Sequence, residues 1–392
     1  MKKDIIPYSK PSIDNSDIKS VVSVLKSGML TQGKNVPKFE KLVSKFVNAK
    51  YAIAVNSATS ALHLSCLSLN LKKNDIVWTS NNTFVSTANS ALLCGAKVDL
   101  LEIDLNTNNI CLEKLKKKLA STKKNKLPKI LILVHIAGMP CDLKEVYKLS
   151  RIYKFNIIED ASHALGSKYF KEPIGNCKFS KITIFSFHPV KNITTGEGGM
   201  AVTNSKILFN KIKALRTHGI LYNNNSIKKK VGKLPGFYQQ KYLGLNYRMS
   251  DISAILGISQ LKKLRLFIKK RNKIAKYYSK NLKNLPLIIP KFHKEYLSAF
   301  HLYIIKVNCK NAKKIRDEIF YKFLKNNFKI NIHYIPVHSH PYFQKLGFYN
   351  KIFKISELYY NTAISIPIFP NLSLLNQKKI IKIIKSSFVT KN

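Results

Sequence analysis

The stretch TIFSFHPVKNITTGEGGM, residues 183–200, decides the fold prediction. The apolar run at 182–187 predicts a buried strand that ends in polar and turn residues. Just beyond it lies Lys191, preceded by Pro189 and Val190 and followed by a glycine cluster. Burial disfavours the ammonium form, and a neutral amine can attack a carbonyl carbon to form a Schiff base. A lysine beside a glycine turn is more often a surface loop residue, so other parts of the chain must decide.

Length and composition indicate a globular protein with a large core. The 392 residues predict two or three domains, and a hydrophobic content of 45% is ample for their cores. The formal net charge of +48 raises nucleic acid as a partner. Only six of the basic residues are arginines, however, whereas nucleic-acid surfaces favour arginine for bidentate contacts. Lysines are spread through the whole chain, so we interpret them as solvated residues and expect no nucleic-acid partner.

The cysteines and the N-terminal sequence indicate the compartment. Six cysteines lie far apart, with no CxxC or Cys/His ligand spacing: Cys66, Cys94, Cys111, Cys141, Cys177 and Cys309. This pattern predicts core thiols of a reducing compartment, and neither a disulfide framework nor a zinc site. The start, MKKDIIPYSKPSID, contains no apolar leader segment, and no run of eighteen apolar residues occurs. We therefore expect a soluble, cytoplasmic protein without membrane attachment.

Short apolar strands alternate with helices in the first half of the chain. Strands are predicted at 51–55, 76–79, 97–103, 130–135 and 155–158, and helices at 15–27, 37–47, 82–93, 112–119 and 143–153. The alternation predicts an α/β domain with a mostly parallel sheet. Ligands bind at the carboxyl ends of such strands, where Asp160 and Lys191 both fall. We expect these two side chains to face one crevice.

Three features near the predicted strand ends each allow two interpretations. The residues NSATS (56–60) open a helix, and they either bind a phosphate at its N-terminus or simply cap it. Phe84 either packs in the core or stacks on a planar cofactor. Asp160 either caps a turn or holds a pyridine nitrogen protonated while Lys191 carries the aldehyde carbon. The ligand-binding interpretation of each feature indicates pyridoxal phosphate.

Five motifs occur in one order and spacing along the chain. They are NSATSAL (56–62), EDASHALGSKY (159–169), FSFHPVKNITTGEGG (185–199), RTHG (216–219) and LGLNYRMSDISAILGISQL (243–261). Together they resemble the DegT/DnrJ/EryC1/StrS nucleotide-sugar aminotransferases over nearly the whole chain. The resemblance implies the aspartate aminotransferase fold (fold type I), with a large α/β domain that binds pyridoxal 5′-phosphate and a smaller α+β domain. It also implies a homodimer with shared active sites.

The same resemblance implies roles for residues inside the motifs. Lys191 corresponds to the lysine that forms the Schiff base, and Asp160 to the partner of the pyridinium nitrogen. These two are the expected catalytic residues. Ala58, Thr59 and Ser186 correspond to the phosphate cradle.

Three further cofactor contacts follow from the resemblance. Phe84 corresponds to the ring that stacks on the cofactor. His163 stands where many relatives have glutamine, beside the phenolic oxygen of the cofactor. Asn246 corresponds to the asparagine that reaches the phosphate in the neighbouring subunit, although Asn246 and Arg248 could instead cap the helix that follows them.

Within the family, three segments resemble transaminases of the pseudaminic-acid pathway: residues 8–34, ASHALGS (161–167) and FSFHPVKNITT (185–195). Such enzymes move an amino group from L-glutamate to C4 of a UDP-linked 4-keto-6-deoxy-N-acetylhexosamine. The implied substrate-binding residues are Tyr8, Gly28, Met29, Leu30, Thr31, His333 and Tyr334. Residues 222–242 are longer and richer in lysine than we expect of that subgroup.

Two other functions stay open from the sequence. The chain could act on another nucleotide-linked 4-keto sugar, of the legionaminic, bacillosamine or perosamine type, or it could catalyse a dehydration. Dehydratases of this family have histidine in place of the lysine, and Lys191 argues against them. The chain could also be a non-catalytic basic binding protein, against which the pair of Lys191 and Asp160 argues.

The C-terminal part predicts a second domain. We expect a large domain at 1–255 and a small α+β domain at 256–392, joined by a helix from Asp251 to about residue 282. Strands are predicted at 302–307 and 330–335, and helices at 311–327 and 375–388. The segment HYIPVHSH (333–340) contains three histidines, but its proline and the absence of nearby Cys or carboxylate residues favour a loop over a metal site.

Overall fold

A seven-stranded sheet forms the centre of the larger part of the computed structural model, which describes residues 5–222 and 238–388. Its strands run in the order β2, β10, β9, β6, β5, β3, β4, and every strand except β10 is parallel to the others. The strands of the protein are β1 Ile6–Pro7, β2 Tyr51–Val55, β3 Ile76–Ser80, β4 Lys97–Leu101, β5 Ile130–Val134, β6 Asn156–Asp160, β7 Lys168–Tyr169, β8 Glu172–Pro173, β9 Ile182–Ser186, β10 Gly199–Thr203, β11 Ile220–Tyr222, β12 Tyr238–Gln240, β13 Leu287–Ile288, β14 Tyr296–Leu297, β15 Tyr303–Val307, β16 Phe328–Lys329 and β17 Ala363–Ile366.

Helices cover both faces of this sheet, which makes the predicted α/β architecture correct. The helices of eight or more residues in the described part of the chain are α1 Asn15–Ser27, α2 Asn35–Val47, α3 Ala58–Ser68, α4 Val85–Leu92, α5 Leu112–Ser121, α6 Leu143–Tyr153, α7 Lys206–Leu215, α8 Asp251–Leu282, α9 Ala312–Lys325, α10 Lys354–Thr362 and α11 Leu374–Lys385. Of these, α9, α10 and α11 belong to the C-terminal part and do not cover this sheet. Since both faces are covered, strands such as β5 (ILILV) bury every residue and show no alternation of apolar and polar side chains.

The antiparallel strand β10 begins at the carboxyl edge of the sheet, where the segment 183–200 ends. Its first residue, Gly199, pairs with the last residues of both neighbours, Val55 of β2 and Ser186 of β9. A Cβ atom on Gly199 would lie 2.4 Å from the carbonyl of Ser57, so only glycine allows this approach. The loop that contains Lys191 therefore lies across the carboxyl ends of the strands.

The predicted helix from Asp251 is confirmed and joins two hydrophobic cores. Helix α8 has 32 residues, about 48 Å in length. Its first half, up to Ile268, packs in the core beneath the large sheet, and its second half, from Ile274, packs in the core of the C-terminal part. The boundary at residue 255 stays a prediction.

The C-terminal part contains a small antiparallel sheet in the order β13, β15, β17. The predicted strand at 302–307 and both predicted helices are found, as β15, α9 and α11. The predicted strand at 330–335 is wrong, because this segment is irregular and, within 5–222 and 238–388, pairs only through the bridge of Asn331 with Ser365. We call residues 331–335 the irregular wall. Parallel pairing of β1 with β16 attaches the N-terminal segment to this part.

The cysteine prediction is correct in part. All six thiols are free, and Cys66, Cys141 and Cys177 are buried. Cys94 and Cys111 are half-buried, and the prediction of a core position is wrong for Cys309, which is exposed in a turn after β15. Most of the lysine-rich stretch at 222–242 lies outside the described residues. Across 5–222 and 238–388, no helix is both long and apolar enough to cross a bilayer.

Candidate active site

A cavity of about 620 Å³ opens at the carboxyl edge of the large sheet, against the irregular wall at 331–335. This volume suits a cofactor-sized ligand and part of a substrate. Ten of the predicted site residues line it: Tyr8, Ala58, Thr59, Phe84, Asp160, His163, Ser186, Lys191, His333 and Tyr334. They come from the loops after β2, β3, β6 and β9 and from the C-terminal part, so the expectation that Asp160 and Lys191 share a crevice is confirmed.

The loop of Lys191 is anchored on both sides. The backbone N–H of Lys191 donates to the carbonyl of His188 at 2.9 Å, and the hydroxyl of Ser9 donates to the carbonyl of Val190 at 2.9 Å. Removal from water lowers the pKa of the Lys191 amine to about 8, and the nearby carboxylate of Asp160 opposes that shift. A substantial fraction of the amine is therefore neutral and nucleophilic near physiological pH.

Hydroxyl donors hold the carboxylate of Asp160. Its Oδ2 accepts from Thr87 Oγ1 at 2.7 Å, and its Oδ1 accepts from the hydroxyl of Ser162 at 2.6 Å and from the N–H of Ser162 at 3.2 Å. Because Thr87 donates its one hydroxyl proton to Asp160, the hydroxyl of Thr83, 2.8 Å away, donates to Thr87. Asp160 therefore caps the turn at Ser162, as one of the two interpretations predicted, and it also lines the cavity.

Thr83, Thr87 and Ser162 were missed by the sequence analysis. Thr87 lies in the first turn of α4, and Thr83 precedes Phe84, the N-cap of that helix. Nothing in the sequence indicated that the start of α4 meets the end of β6.

At the N-terminus of α3, residues 56–60 divide into residues that cap the helix and residues that line the cavity. The hydroxyl of Ser57 accepts from the N–H of Ser60 at 3.1 Å, and the hydroxyl of Ser60 donates to Asn56 Oδ1 at 2.6 Å. These three residues cap the helix. Ala58 and Thr59 line the cavity, and their N–H groups belong to the first turn of the helix, which has no intrahelical acceptors. A helix N-terminus of this kind can hold an anion.

His163 lines the cavity next to Tyr334 of the irregular wall, and it is 4% exposed. Its Nδ1 accepts from the N–H of Ala137 at 3.2 Å, so in the neutral ring Nε2 carries the proton and donates to the hydroxyl of Tyr334 at 3.0 Å. Burial, and then the charges of Lys191 and His333, lower the pKa of His163 well below its ordinary value. A contact between His163 and a cofactor stays a prediction, because Tyr334 occupies Nε2 here.

His301 is a cavity residue that the sequence analysis missed. It is 1% exposed, its ring centroid lies 4.5 Å from that of His163, and within the described part of the chain its Nδ1 has no hydrogen-bond partner. Burial, with the neighbouring His163 and Lys191, lowers its pKa well below the ordinary value. His301 is therefore neutral.

Aromatic residues form the mouth of the cavity. Phe84 is 55% exposed, which makes the core interpretation wrong, and its ring lies 5.8 Å from that of Tyr334. The ring of Tyr8 lies 4.9 Å from that of His333, whose Nδ1 is 2.8 Å from the hydroxyl of Ser365.

Five predicted residues do not appear in the lining of this cavity that the described residues form: Gly28, Met29, Leu30, Thr31 and Asn246. The carbonyl of Leu30 accepts from the N–H of Asp251 at 2.8 Å, Thr31 bridges to Ser250, and Asn246 bridges to Thr217. As far as the described residues form its lining, the cavity of Lys191 includes none of the five. The capping interpretation of Asn246 and Arg248 is wrong, because the hydroxyl of Ser250 caps α8.

The donor set of the cavity fits pyridoxal phosphate. The amine of Lys191 matches an aldehyde, the carboxylate of Asp160 matches a ring nitrogen, and the N–H groups at the start of α3 match a phosphate. The close approach of Gly199 to Ser57 leaves this cradle open, because a side chain at position 199 would collide with the backbone of Ser57 and Ala58.

Comparison with known proteins assigns the chain to a family. The model of the "DegT/DnrJ/EryC1/StrS aminotransferase family" matches residues 11–385. The chain is 37% identical over 379 residues to the UDP-4-amino-4,6-dideoxy-N-acetyl-beta-L-altrosamine transaminase of Campylobacter jejuni, covering 95% of each chain. It is 36% identical over 382 residues to the spore coat polysaccharide biosynthesis protein SpsC of Bacillus subtilis, covering 95% of this chain and 94% of SpsC.

Solved structures agree in fold. Helicobacter pylori PseC, an aminotransferase involved in the biosynthesis of pseudoaminic acid, has a TM-score of 0.88 at 32% identity, over 98% of this chain and 99% of that one. The PLP-form of the sugar aminotransferase Spr1654 from Streptococcus pneumoniae has a TM-score of 0.88 at 25% identity, over 98% of each chain. The predicted aminotransferase fold is confirmed.

Proposed function

Because this chain belongs to the DegT/DnrJ/EryC1/StrS aminotransferase family, and is a pyridoxal-phosphate-dependent sugar aminotransferase, we propose a specific reaction for it. The amino group of L-glutamate is transferred to C4 of a UDP-linked 4-keto-6-deoxy-N-acetylhexosamine. The product is UDP-4-amino-4,6-dideoxy-N-acetyl-β-L-altrosamine, a precursor of pseudaminic acid. Similarity to the C. jejuni transaminase and to H. pylori PseC supports this substrate.

The observation that carries the proposal is the pair of Lys191 and Asp160 in one cavity, with the amine of Lys191 partly neutral. Lys191 would bind the aldehyde carbon, and Asp160 would pair with the ring nitrogen. Ala58, Thr59 and Ser186 would hold the phosphate. When bound, pyridoxal phosphate supplies an electron sink for the negative charge left when a carbon-bound proton is removed.

Lys191 acts as the general base and acid. Its neutral Nζ accepts the proton from Cα of L-glutamate and later delivers a proton to C4 of the sugar. The pKa near 8 suits both directions, since base and acid forms coexist at neutral pH. The carboxylate of Asp160 accepts hydrogen bonds from Thr87 and Ser162, and a carboxylate in this position would favour the protonated form of the partner nitrogen.

The wall of the cavity orients the sugar. Tyr8, His333 and Tyr334 line its C-terminal side, and His163 donates to the hydroxyl of Tyr334. Burial raises the pKa of the Tyr334 phenol well above its ordinary value, so this hydroxyl remains a neutral hydrogen-bond donor. It can donate to an oxygen of the substrate.

A homodimer with shared sites completes the proposal. The predicted site residues outside the cavity lining are Asn246, which bridges to Thr217, and the loop from Gly28 to Thr31, which pairs with Ser250 and Asp251. Met29 and Leu30 on that loop are exposed, and α1, which leads into it, exposes Ile18, Val22 and Leu25 at the spacing of successive turns. An apolar face of this kind is typical of a subunit interface. A second copy would bring these residues to the cavity of its neighbour.

Another nucleotide-linked 4-keto sugar is the second candidate substrate. SpsC of B. subtilis, a spore coat polysaccharide biosynthesis protein, is nearly as similar to this chain as the C. jejuni transaminase is. The chemistry of Lys191 and Asp160 is the same for either sugar.

Absorption spectroscopy tests both the transamination and the identity of the sugar substrate. We expect the protein with bound pyridoxal phosphate to lose its visible band on addition of L-glutamate and to recover it on addition of the UDP-linked 4-keto-6-deoxy-N-acetylhexosamine. Recovery with only a different nucleotide-linked 4-keto sugar would replace the substrate and leave the reaction. A band that does not respond to L-glutamate would overturn the transaminase proposal.

A further inference from the structure

Arg271 lies on α8 where the helix passes from one hydrophobic core to the other, and it is 1% exposed. Its Nη1 donates to the carbonyl of Ile368 at 2.7 Å and to the carbonyls of Phe300 and His301 at 3.2 Å each. Its Nη2 makes a longer hydrogen bond, of 3.4 Å, to the hydroxyl of Ser9. Burial lowers the pKa of Arg271 to about 9, so the guanidinium still carries its charge at neutral pH.

Ser9 connects Arg271 to the loop that contains Lys191. It is 3% exposed, and its hydroxyl donates to the carbonyl of Val190, the residue before Lys191, at 2.9 Å. A guanidinium can only donate hydrogen bonds and a carbonyl can only accept them, so the direction of both bonds is fixed. The single proton of the Ser9 hydroxyl therefore points to Val190, while its oxygen accepts from Arg271.

The segment that contains Ser9 is attached to the C-terminal part. Its strand β1 pairs with β16, and the carbonyl of Tyr8 accepts from the N–H of Ile368 at 2.9 Å. The carbonyl of the same Ile368 accepts from Arg271. The position of the Ser9 hydroxyl is thus set by α8 and the C-terminal part, although the carbonyl that it binds belongs to the loop after β9.

The residue after Lys191 is held from another direction. Asn192 Nδ2 donates to the carbonyl of Leu165 at 2.9 Å and to the carbonyl of His163 at 3.3 Å. Both carbonyls belong to the segment that follows β6. Val190 and Asn192 are therefore fixed by different parts of the chain, and together these contacts determine where the side chain of Lys191 leaves the backbone.

We propose that Ser9 is a positioning residue for Lys191, which acts through the carbonyl of Val190. The inference rests on the transamination proposed above, in which one amine both binds the cofactor and moves a proton. A displacement of a reacting group by about 1 Å can lower a rate about 100-fold, so an amine with two tasks requires a fixed backbone. Ser9 is thereby needed for turnover, although it is not among the described residues that line the cavity.

Two serine variants provide a matched comparison. Ser9→Ala removes the hydroxyl and little volume. Ser12→Ala is the control, because Ser12 lies in the same segment, and its hydrogen bonds within the described chain come from Gln260 and Asn371 and not from the loop of Lys191. Both variants keep the backbone contacts that attach the segment to the C-terminal part.

Steady-state kinetics measure the effect on the reaction. Ser9→Ala should lower kcat about tenfold without raising the KM of L-glutamate or of the nucleotide sugar, because the contact fixes the amine and does not touch the cavity. Ser12→Ala should change neither constant. An unchanged kcat in Ser9→Ala, a KM that rises as steeply as kcat falls, or equal losses in the two variants would overturn the proposal.

Hydrogen exchange of the full chain, with and without pyridoxal phosphate, measures the position of the loop independently of the reaction. The N–H of Lys191 donates to the carbonyl of His188 at 2.9 Å, so its exchange requires the loop to open. Loss of the Ser9 contact should speed exchange at residues 188–195 about fivefold, as measured by peptide mass spectrometry. The buried strand β5 is the internal reference and should exchange at the same rate in both variants. Unchanged exchange at 188–195 in Ser9→Ala contradicts the proposal.

The two measurements separate this inference from the proposed function. If the unaltered protein turns over and Ser9→Ala changes neither kcat nor the exchange of the loop, only the role of Ser9 is overturned. If the unaltered protein transfers no amino group, the transamination is overturned, while faster exchange in Ser9→Ala alone would still support the positioning of Lys191 by Ser9.

Discussion

The hydroxyl of Thr87 donates a hydrogen bond of 2.7 Å to Oδ2 of Asp160, and the hydroxyl of Thr83 donates in turn to Thr87. A side chain at the start of α4 thus fixes a carboxylate at the end of β6, 73 residues later. This contact orients the carboxylate of Asp160, which we propose pairs with the ring nitrogen of pyridoxal phosphate.

Replacing Thr87 by valine should lower turnover about tenfold. The substitution keeps the shape of the side chain and removes a hydrogen bond to a charged group, which contributes on the order of 1.5 kcal/mol. Thr83→Val, which acts on Asp160 only through Thr87, should have a smaller effect. Steady-state kinetics and the dissociation constant of pyridoxal phosphate measure both variants. Equal losses in the two would show that helix packing, and not the contact with Asp160, is responsible.

Lys191→Ala should abolish turnover, because the variant lacks both the amine that binds the cofactor and the base that moves the proton. Lys181→Ala is a matched control, since Lys181 is an exposed lysine at the opposite end of β9. We expect Lys181→Ala to retain full activity when the turnover of both variants is measured by steady-state kinetics. Appreciable turnover by Lys191→Ala would place the nucleophile elsewhere.

The amine of Lys191 should become reactive at a lower pH than an ordinary lysine. Below about pH 8 the ammonium form dominates and is not nucleophilic, whereas above it the amine is neutral. Competitive acetylation of the cofactor-free protein, followed by peptide mass spectrometry, should show a midpoint near 8 at Lys191. Asp160→Asn removes the charge that favours the ammonium, so the midpoint should fall further. A rate at Lys191 that still rises steeply above pH 9 would contradict the burial argument.

Mixed subunits test the shared active site. Lys191→Ala and Asn246→Asp should each be inactive alone, the second because it directs a carboxylate at a phosphate. If Asn246 serves the neighbouring subunit, a mixed dimer contains one complete site, and activity should reappear after the two proteins are unfolded and refolded together. Mixing Lys191→Ala with Asp160→Ala is the control, because both residues line the same cavity of one chain and no complete site can form. Absence of recovery in the first mixture would remove Asn246 from the neighbour's site.

Lys306 should make stability depend on pH. It is 2% exposed, its Nζ donates to Asn108 Oδ1 at 2.6 Å, and burial lowers its pKa to about 7 against the effect of Asp104. Between about pH 7 and 10 the unfolded chain binds more protons at this residue than the folded chain, so the free energy of unfolding rises with pH. Lys306→Met should lack that rise, whereas the exposed control Lys310→Met should keep it. Urea unfolding at pH 7 and pH 9.5 measures the difference, and equal slopes in the two variants would contradict the prediction.

The sequence alone determined the parallel sheet, the bridging helix α8 and ten residues of the cavity. The sheet and the helix follow from local patterns, because apolar runs specify strands, helical spacing specifies helices, and the ends of parallel strands meet at one edge. Most of the ten cavity residues were implied by the family resemblance. The motif around Lys191 lies at such an end, and its family likeness identified the chemistry. The strand predicted at 330–335 from its apolar residues is wrong, because residues 331–335 form an irregular wall of the cavity.

Only the tertiary structure decided which groups meet from distant parts of the chain. Burial and the distance to Asp160 set the protonation of Lys191, and a backbone N–H from Ala137 sets the tautomer of His163. The contact of Thr87 with the carboxylate of Asp160 depends equally on packing. Protonation and reactivity depend on three-dimensional distance and on exclusion from water, and neither quantity is encoded in the spacing of residues along a chain.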